Sequence, residues 1–259
     1  MNTVNKQAGL SMVELLIALA ISSFLILGVT QIYIDNKTSY LFQQGQAQNQ
    51  ENGRFSLMVL EQHLAKAGFR RRPDDSLEQA FAAGTFNTTT GAGTCTFRAG
   101  QAVTKVDDST ICLRFEPRDA TEVDCAGTGV TTPADFATPY TTSSQEFVEK
   151  FSVNNNAELV CNDAVLADGV SQVLYTFGIG PASEREVSSY TKTPGTSTIR
   201  SVRYSLLLTT DQNNLSQGMT SKAYCDWQTL MGNTDPCTPP DNNLYQIASS
   251  GIMLRNLMP

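Results

Sequence analysis

The chain has 259 residues, 17 % of them charged, a net charge of −7 and a single histidine, His63. That length suffices for one large domain or two small ones with a sizeable core, and the charge content lies below the roughly 25 % of an ordinary soluble protein. The acidic balance, with Arg70-Arg71-Arg72 as the only basic run, excludes a nucleic-acid binder that works through bulk charge.

The first element is apolar. "KQAGLSMVELLIALAISSFLILG" (6–28) sets one carboxylate, Glu14, among residues suited to lipid, and no further charge occurs before Asp35. Leu15 to Ile34 spans about 30 Å as a helix, enough to cross a bilayer. An acid buried there costs about 2.5–3.5 kcal/mol on insertion scales. A secretory signal would be cut after the apolar stretch, but the A-x-A pattern at Ala18-Leu19-Ala20 falls in its middle. A lipoprotein signal needs a cysteine, and none precedes Cys95. A plain anchor explains neither Glu14 nor Gly9.

With no proline before Pro73, the helix is expected to run from Leu10 to Ala67, about 87 Å, with Gly45 and Gly53 as weak points. Its middle, "QQGQAQNQEN" (43–52), is polar all round and reads as solvated or partly frayed. Leu57, Leu60, Leu64 and Ala67 then recur with helical spacing and should pack against a sheet. Gly68 closes the helix, and Arg70–Arg72 follow at its negative end as caps, with a partner or lipid-phosphate site as the alternative.

Residues 81–100 read as a loop rich in Gly, Ala and Thr. Strands are expected in "STICLRFEP" (109–117), with Ile111, Leu113 and Phe115 on one face, and in "VSQVLYTFGIG" (170–180), with Val173, Tyr175, Phe177 and Ile179 on one side. "TIRSVRYSLLLTT" (198–210) and "QIASSGIMLRN" (246–256) complete the sheet. Little helical periodicity follows residue 68, so the class is α+β with a mostly antiparallel sheet.

The cysteines Cys95, Cys112, Cys125, Cys161, Cys225 and Cys237 are even in number, as for disulfides in an oxidising compartment. Zinc needs close pairs, and the shortest spacing here is Cys225 to Cys237. Those two flank a turn-forming segment with Gly232, Asn233, Asp235 and Pro236, and are expected to close a loop. The remaining pairing stays open; Cys95–Cys112 and Cys125–Cys161 are set down as guesses. Tyr224 and Trp227 read as anchors of that loop, with contact to a sugar or a subunit as the alternative.

A hydrolytic triad would have to use His63, which the helix pattern assigns to packing or the helix surface. Asp74-Asp75 and Asp107-Asp108 lack the spaced ligands of a calcium loop, and there is no glycine-rich phosphate loop. No catalysis, metal or cofactor is expected.

Residues 1–34 resemble the class III signal of type IV pilins and their relatives: a short polar leader ending in Gly, then an apolar residue, then a Glu at the fifth mature position. The resemblance implies a leader Met1–Gly9, cut from Leu10 by the prepilin peptidase on the cytoplasmic side, and methylation of the Leu10 amine. The mature amine and Glu14 would then be opposite charges in one low-dielectric layer, where attraction is far stronger than in water. Docking into a filament would pair Glu14 with an N-terminal amine and relieve both desolvation costs. Glu14 snorkelling to the interface is the plainer alternative.

"RFSLMVLEQHLAKAGF", "LADGVSQVLYTFGI", "IRSVRYSLLL" and "IMLRN" resemble the PilW group of minor pilins of bacterial type IV pili, whereas 81–165 and 211–243 carry no such likeness. The fold implied is type IV pilin-like, a long N-terminal helix packed on a mostly antiparallel head. Its parts would be a leader (1–9), a transmembrane or filament-core helix (10–34), a periplasmic helix (35–67) and a head (68–259). The partners implied are other minor pilins, the major pilin, the prepilin peptidase and the bacterial inner membrane, with the head in the periplasm and later at the pilus tip. The role implied is priming and capping of filaments. A J-type pseudopilin of a type II secretion system is the nearest rival, and a membrane-anchored adhesin the rival of another class.

Overall fold

The computed structural model describes residues 11–88, 94–141, 145–181, 183–211, 215–216, 220–233 and 237–258. The chain divides into two compact units, Met1–Gly45 and Gln46–Pro259. Helix α1, Met12–Lys66, contributes its first part to one and its last part to the other.

In the first unit α1 is the only described element, and its residues from Met12 to Ile34 are exposed: Leu16 is 66 % exposed and Phe24 78 %. The few polar groups in this run are satisfied within the helix. The Ser22, Ser23, Thr30 and Thr38 hydroxyls donate to the carbonyls of Leu19, Ala20, Ile26 and Ile34 at 2.8–3.0 Å. Such back-bonding removes the desolvation cost that a free hydroxyl would carry in hydrocarbon. This is the one described helix long and apolar enough to cross a membrane.

In the second unit, the last part of α1 lies against a core built from two antiparallel sheets. One has five strands in the order β3 (Val103–Lys105), β4 (Ile111–Phe115), β5 (Phe147–Val153), β6 (Glu158–Cys161) and β7 (Ala164–Asp168). The other has four, in the order β11 (Tyr245–Met253), β10 (Thr198–Thr209), β8 (Val170–Gly180) and β9 (Ser189–Thr191). Leu60, Leu64 and Ala67 are fully buried among Leu113, Phe115, Val173, Tyr175 and Val202, and Leu57 packs at the margin. Burying each leucine stabilises the fold by about 2 kcal/mol, so the stripe read from the sequence holds helix to sheets.

Several expectations need correction. Residues 81–100 are not a loop throughout: a hairpin forms from β1 (Gly84–Asn87) and β2 (Thr94–Phe97). Its strands alternate in burial, but over only four residues each, too short a run to stand out in a Gly/Ala/Thr-rich stretch. The second half of the polar stretch 43–52 is not simply solvated, because Asn49 is buried and its Nδ2 donates to the Leu244 carbonyl at 3.0 Å. Gly53 is no weak point: a Cβ there would meet Leu208 Cδ1 at 2.6 Å, so glycine admits β10 to the helix.

Gly68 does end the helix, at φ +74°, but Arg70–Arg72 do not cap it. The free carbonyls of Ala65 and Ala67 accept from Asn256 Nδ2 at 3.1 and 3.2 Å. Arg71 turns away instead and donates to Arg118 O at 2.6 Å and Thr138 O at 2.8 Å, over the Phe136 ring. A planar guanidinium serves several loop carbonyls at once, and it does so here for the long loop after β4. Arg72 pairs with Asp74 and Asp75.

Helical structure also recurs after residue 68. A short helix α2, Leu77–Ala80, starts with a Ser76/Gln79 capping box. Helix α3, Lys222–Met231, is capped by Ser221, whose hydroxyl accepts from Tyr224 N–H, and ends at Gly232. Its single buried residue, Trp227, packs on Leu174 and Leu207.

Candidate functional site

The residues with functional weight fall at the start of α1 and at the places where the head is fastened together. The expected cut between Gly9 and Leu10, and the methylated amine of Leu10, lie outside the described residues. Glu14 is described, and its carboxylate has a partner absent from the sequence reading. Ser11 precedes the first turn; its backbone N–H donates to Glu14 Oε2 at 3.2 Å, and its Oγ accepts from Val13 N–H at 3.4 Å. The return bond from Glu14 is one half of a capping box; Ser11 Oγ accepts from Val13 N–H, one residue short of the position the full motif uses. Ser11-Met12-Val13-Glu14 has the S-x-x-E form of that motif, so the signal was in the sequence. Glu14 thus has a local role, beginning the helix at an end where negative charge is favoured, whatever it does in assembly.

The head is cross-linked at Cys95–Cys112, Cys125–Cys161 and Cys225–Cys237, and no described cysteine is free. Two of the three bonds fasten an irregular segment to a strand or helix. Cys95–Cys112 joins the β1–β2 hairpin to β4, and Cys125–Cys161 joins the long loop to β6. Cys225–Cys237 ties the segment after α3 to that helix.

Glu149 on β5 is fully buried, and His63 on α1 reaches it. His63 Nδ1 lies 2.8 Å from Glu149 Oε2, and Glu149 Oε1 accepts from the Cys125 backbone N–H at 2.8 Å. Nδ1 and Oε2 share one hydrogen bond, whose direction follows the imidazole tautomer. Helix, sheet and long loop thereby meet at one carboxylate. His63 also packs against Phe151. Its described contacts are thus Glu149 and Phe151, which tie the helix to β5.

The one grouping of ligand-type side chains among the described residues is Cys125, Glu149 and Cys161. Both sulfurs are spent on the disulfide, so a thiolate donor set does not exist there. Partial burial would raise the Asp107 carboxyl, but hydrogen bonds from Ser109 N–H and Oγ at 2.8 Å together with those from Thr110 hold it below the usual range. Asp108 pairs with Lys105. These acids serve a turn.

Arg114 on β4 was not singled out from sequence, yet it is fully buried. It donates to the carbonyls of Gln101 and Ala82 at 2.7 Å and of Arg98 at 2.9 Å, with the Phe97 ring 4.6 Å below. Nothing in a strand pattern distinguishes such an arginine from an exposed one.

Residues 4–30 match the family described as the prokaryotic N-terminal methylation motif. The match covers the start of the chain and not the head. Among curated protein sequences none matches this chain. A solved type IV-like pilin from Thermus thermophilus is similar in structure at 12 % identity and a TM-score of 0.46, covering 80 % of this chain and 97 % of its own.

Proposed function

We propose that this chain is a minor pilin of the PilW type, a structural and assembly subunit without catalysis of its own. The observation that carries the reading is the methylation motif at residues 4–30, continuous with an apolar helix whose surface is uncovered from Met12 to Ile34. Such a surface needs lipid before assembly and other subunits' helices after it. The prepilin peptidase would cut between Gly9 and Leu10 and methylate Leu10. The head would face the periplasm from the inner membrane, then ride at the pilus tip beside other minor pilins and the major pilin. The disulfides fit that compartment.

The test is deletion of the gene followed by two readouts. Loss of surface pili and of twitching, with protein secretion intact, is the expected outcome. The reverse pattern would make the chain a J-type pseudopilin, and loss of surface adhesion alone, with pili intact, would make it an anchored adhesin.

A further inference from the structure

The head holds a basic cavity, of about 630 Å³, that the pilin reading leaves unused. Its walls are the segment after α1, the turn before β3, the start of β10 and the C-terminal turn. Three arginines, Arg70, Arg98 and Arg200, line it against one carboxylate, Glu78, with the hydroxyl-bearing Ser197 and Thr198 between. That excess of positive charge stands out in a chain of net charge −7.

Several cations of the head, Lys66, Arg72, Lys105, Arg114, Arg118 and Lys222, each pair with a carboxylate. Among the described residues Arg70 and Arg98 form no such ion pair, and both line the same space. Arg98 is already oriented: its Nε donates to Gln101 Oε1 at 3.4 Å and its Nη2 to Gly195 O at 3.1 Å, which leaves Nη1 for a further acceptor. Arg200 is buried and fixed by bonds from Nη1 to Leu257 O and from Nη2 to Pro181 O, so its charge is held at the wall. The C-terminal end of α1 is nearby and would repel an anion, but its carbonyls are engaged by Asn256.

We infer that this cavity binds an oxyanion, a carboxylate or phosphate group, on a ligand small enough to enter the head. Fixed guanidinium groups match such groups by charge-assisted, forked hydrogen bonds, and the volume falls within the range of small-molecule sites. The inference is independent of how the chain assembles.

The full chain in a non-ionic detergent would be titrated by calorimetry with inorganic phosphate and, separately, with galacturonate oligomers, neutral galactose oligomers serving as control. Binding of either anion and not of the neutral sugar is expected, and the two arms tell free phosphate from a sugar carboxylate. Arg70→Gln with Arg98→Gln should weaken it by at least about tenfold. Neither side chain is buried, so the melting temperature should change little. Absence of binding to both anions at about 10 mM, or binding unaltered in the double variant, overturns the site.

Discussion

At the scale of single residues, Glu14 is the sharpest case, because its cap and its charge are separable. Glutamine can fill the third position of a capping box as well as glutamate, so Glu14→Gln keeps the bond to Ser11 N–H and removes only the charge. Glu14→Ala removes both, and it also removes the cost of an acid in lipid. Both variants should be inserted and processed at near-normal levels, as read by immunoblot of membranes. Both should be depleted from sheared pili. If Glu14→Gln enters pili as the wild type does, the carboxylate is a helix cap and the charge-pair account fails. Glu116 offers a second separation. Burial raises its carboxyl pKa, against the opposing hydrogen bond from Arg71 N–H at 2.6 Å. A folded-state pKa above the unfolded one means that ionisation disfavours the fold at neutral pH, and that the penalty is relieved as pH falls through the raised value. Glu116→Gln keeps the acceptor and drops the charge. It should melt higher than the wild type near pH 7, with the gap closing as the pH falls through the raised carboxyl pKa. A lower melting temperature at neutral pH would mean that attraction to Arg71 outweighs desolvation.

At the scale of elements, legibility followed periodicity. The α1 stripe and the two longest strands, β8 and β10, announced themselves because one face repeats in apolar residues over many positions. The pieces missed were short or held by contacts far away in sequence. The hairpin β1–β2 is secured by Cys95–Cys112 and by Phe97 on Phe86, 6.0 Å apart. Helix α3 has one buried residue, Trp227, whose Nε1 donates to Gln172 Oε1 at 2.6 Å. One apolar anchor gives no stripe, although Ser221 before it and Gly232 after it are ordinary start and stop signals. The same thinness makes Cys225–Cys237 matter: it closes a 12-residue separation, worth about 3 kcal/mol by the chain-entropy model. Non-reducing peptide mapping should recover Cys225 joined to Cys237, and Cys225→Ser should lower subunit abundance while leader removal continues. Recovery of Cys225 bonded to an upstream cysteine, or unchanged abundance in the variant, contradicts this account.

At the scale of the whole molecule, the class α+β with antiparallel sheets could be read from strands separated by loops, but their division into two sheets could not. Strand order depends on which edges meet, and β3, β6, β7 and β9 are too short to show which face they bury. The methylation motif at the N-terminus was legible for the opposite reason: a glycine, a spaced acid and an apolar run are local features that need no tertiary context. The two units also draw stability from different sources, the first from whatever covers its apolar surface and the second from its own core and disulfides. A lesion confined to the leader should therefore leave the head intact. Gly9→Val puts a branched side chain where the peptidase must fit a residue without one. The chain should persist in membranes about nine residues longer than the processed form and be absent from pili. Its head should still resist thiol alkylation at all six cysteines, because their closure depends on export and folding and not on the cut. Mass spectrometry of the wild-type mature chain should begin at methylated Leu10. Any other start, or reactive cysteines in the uncut variant, would break the proposed independence of processing and folding.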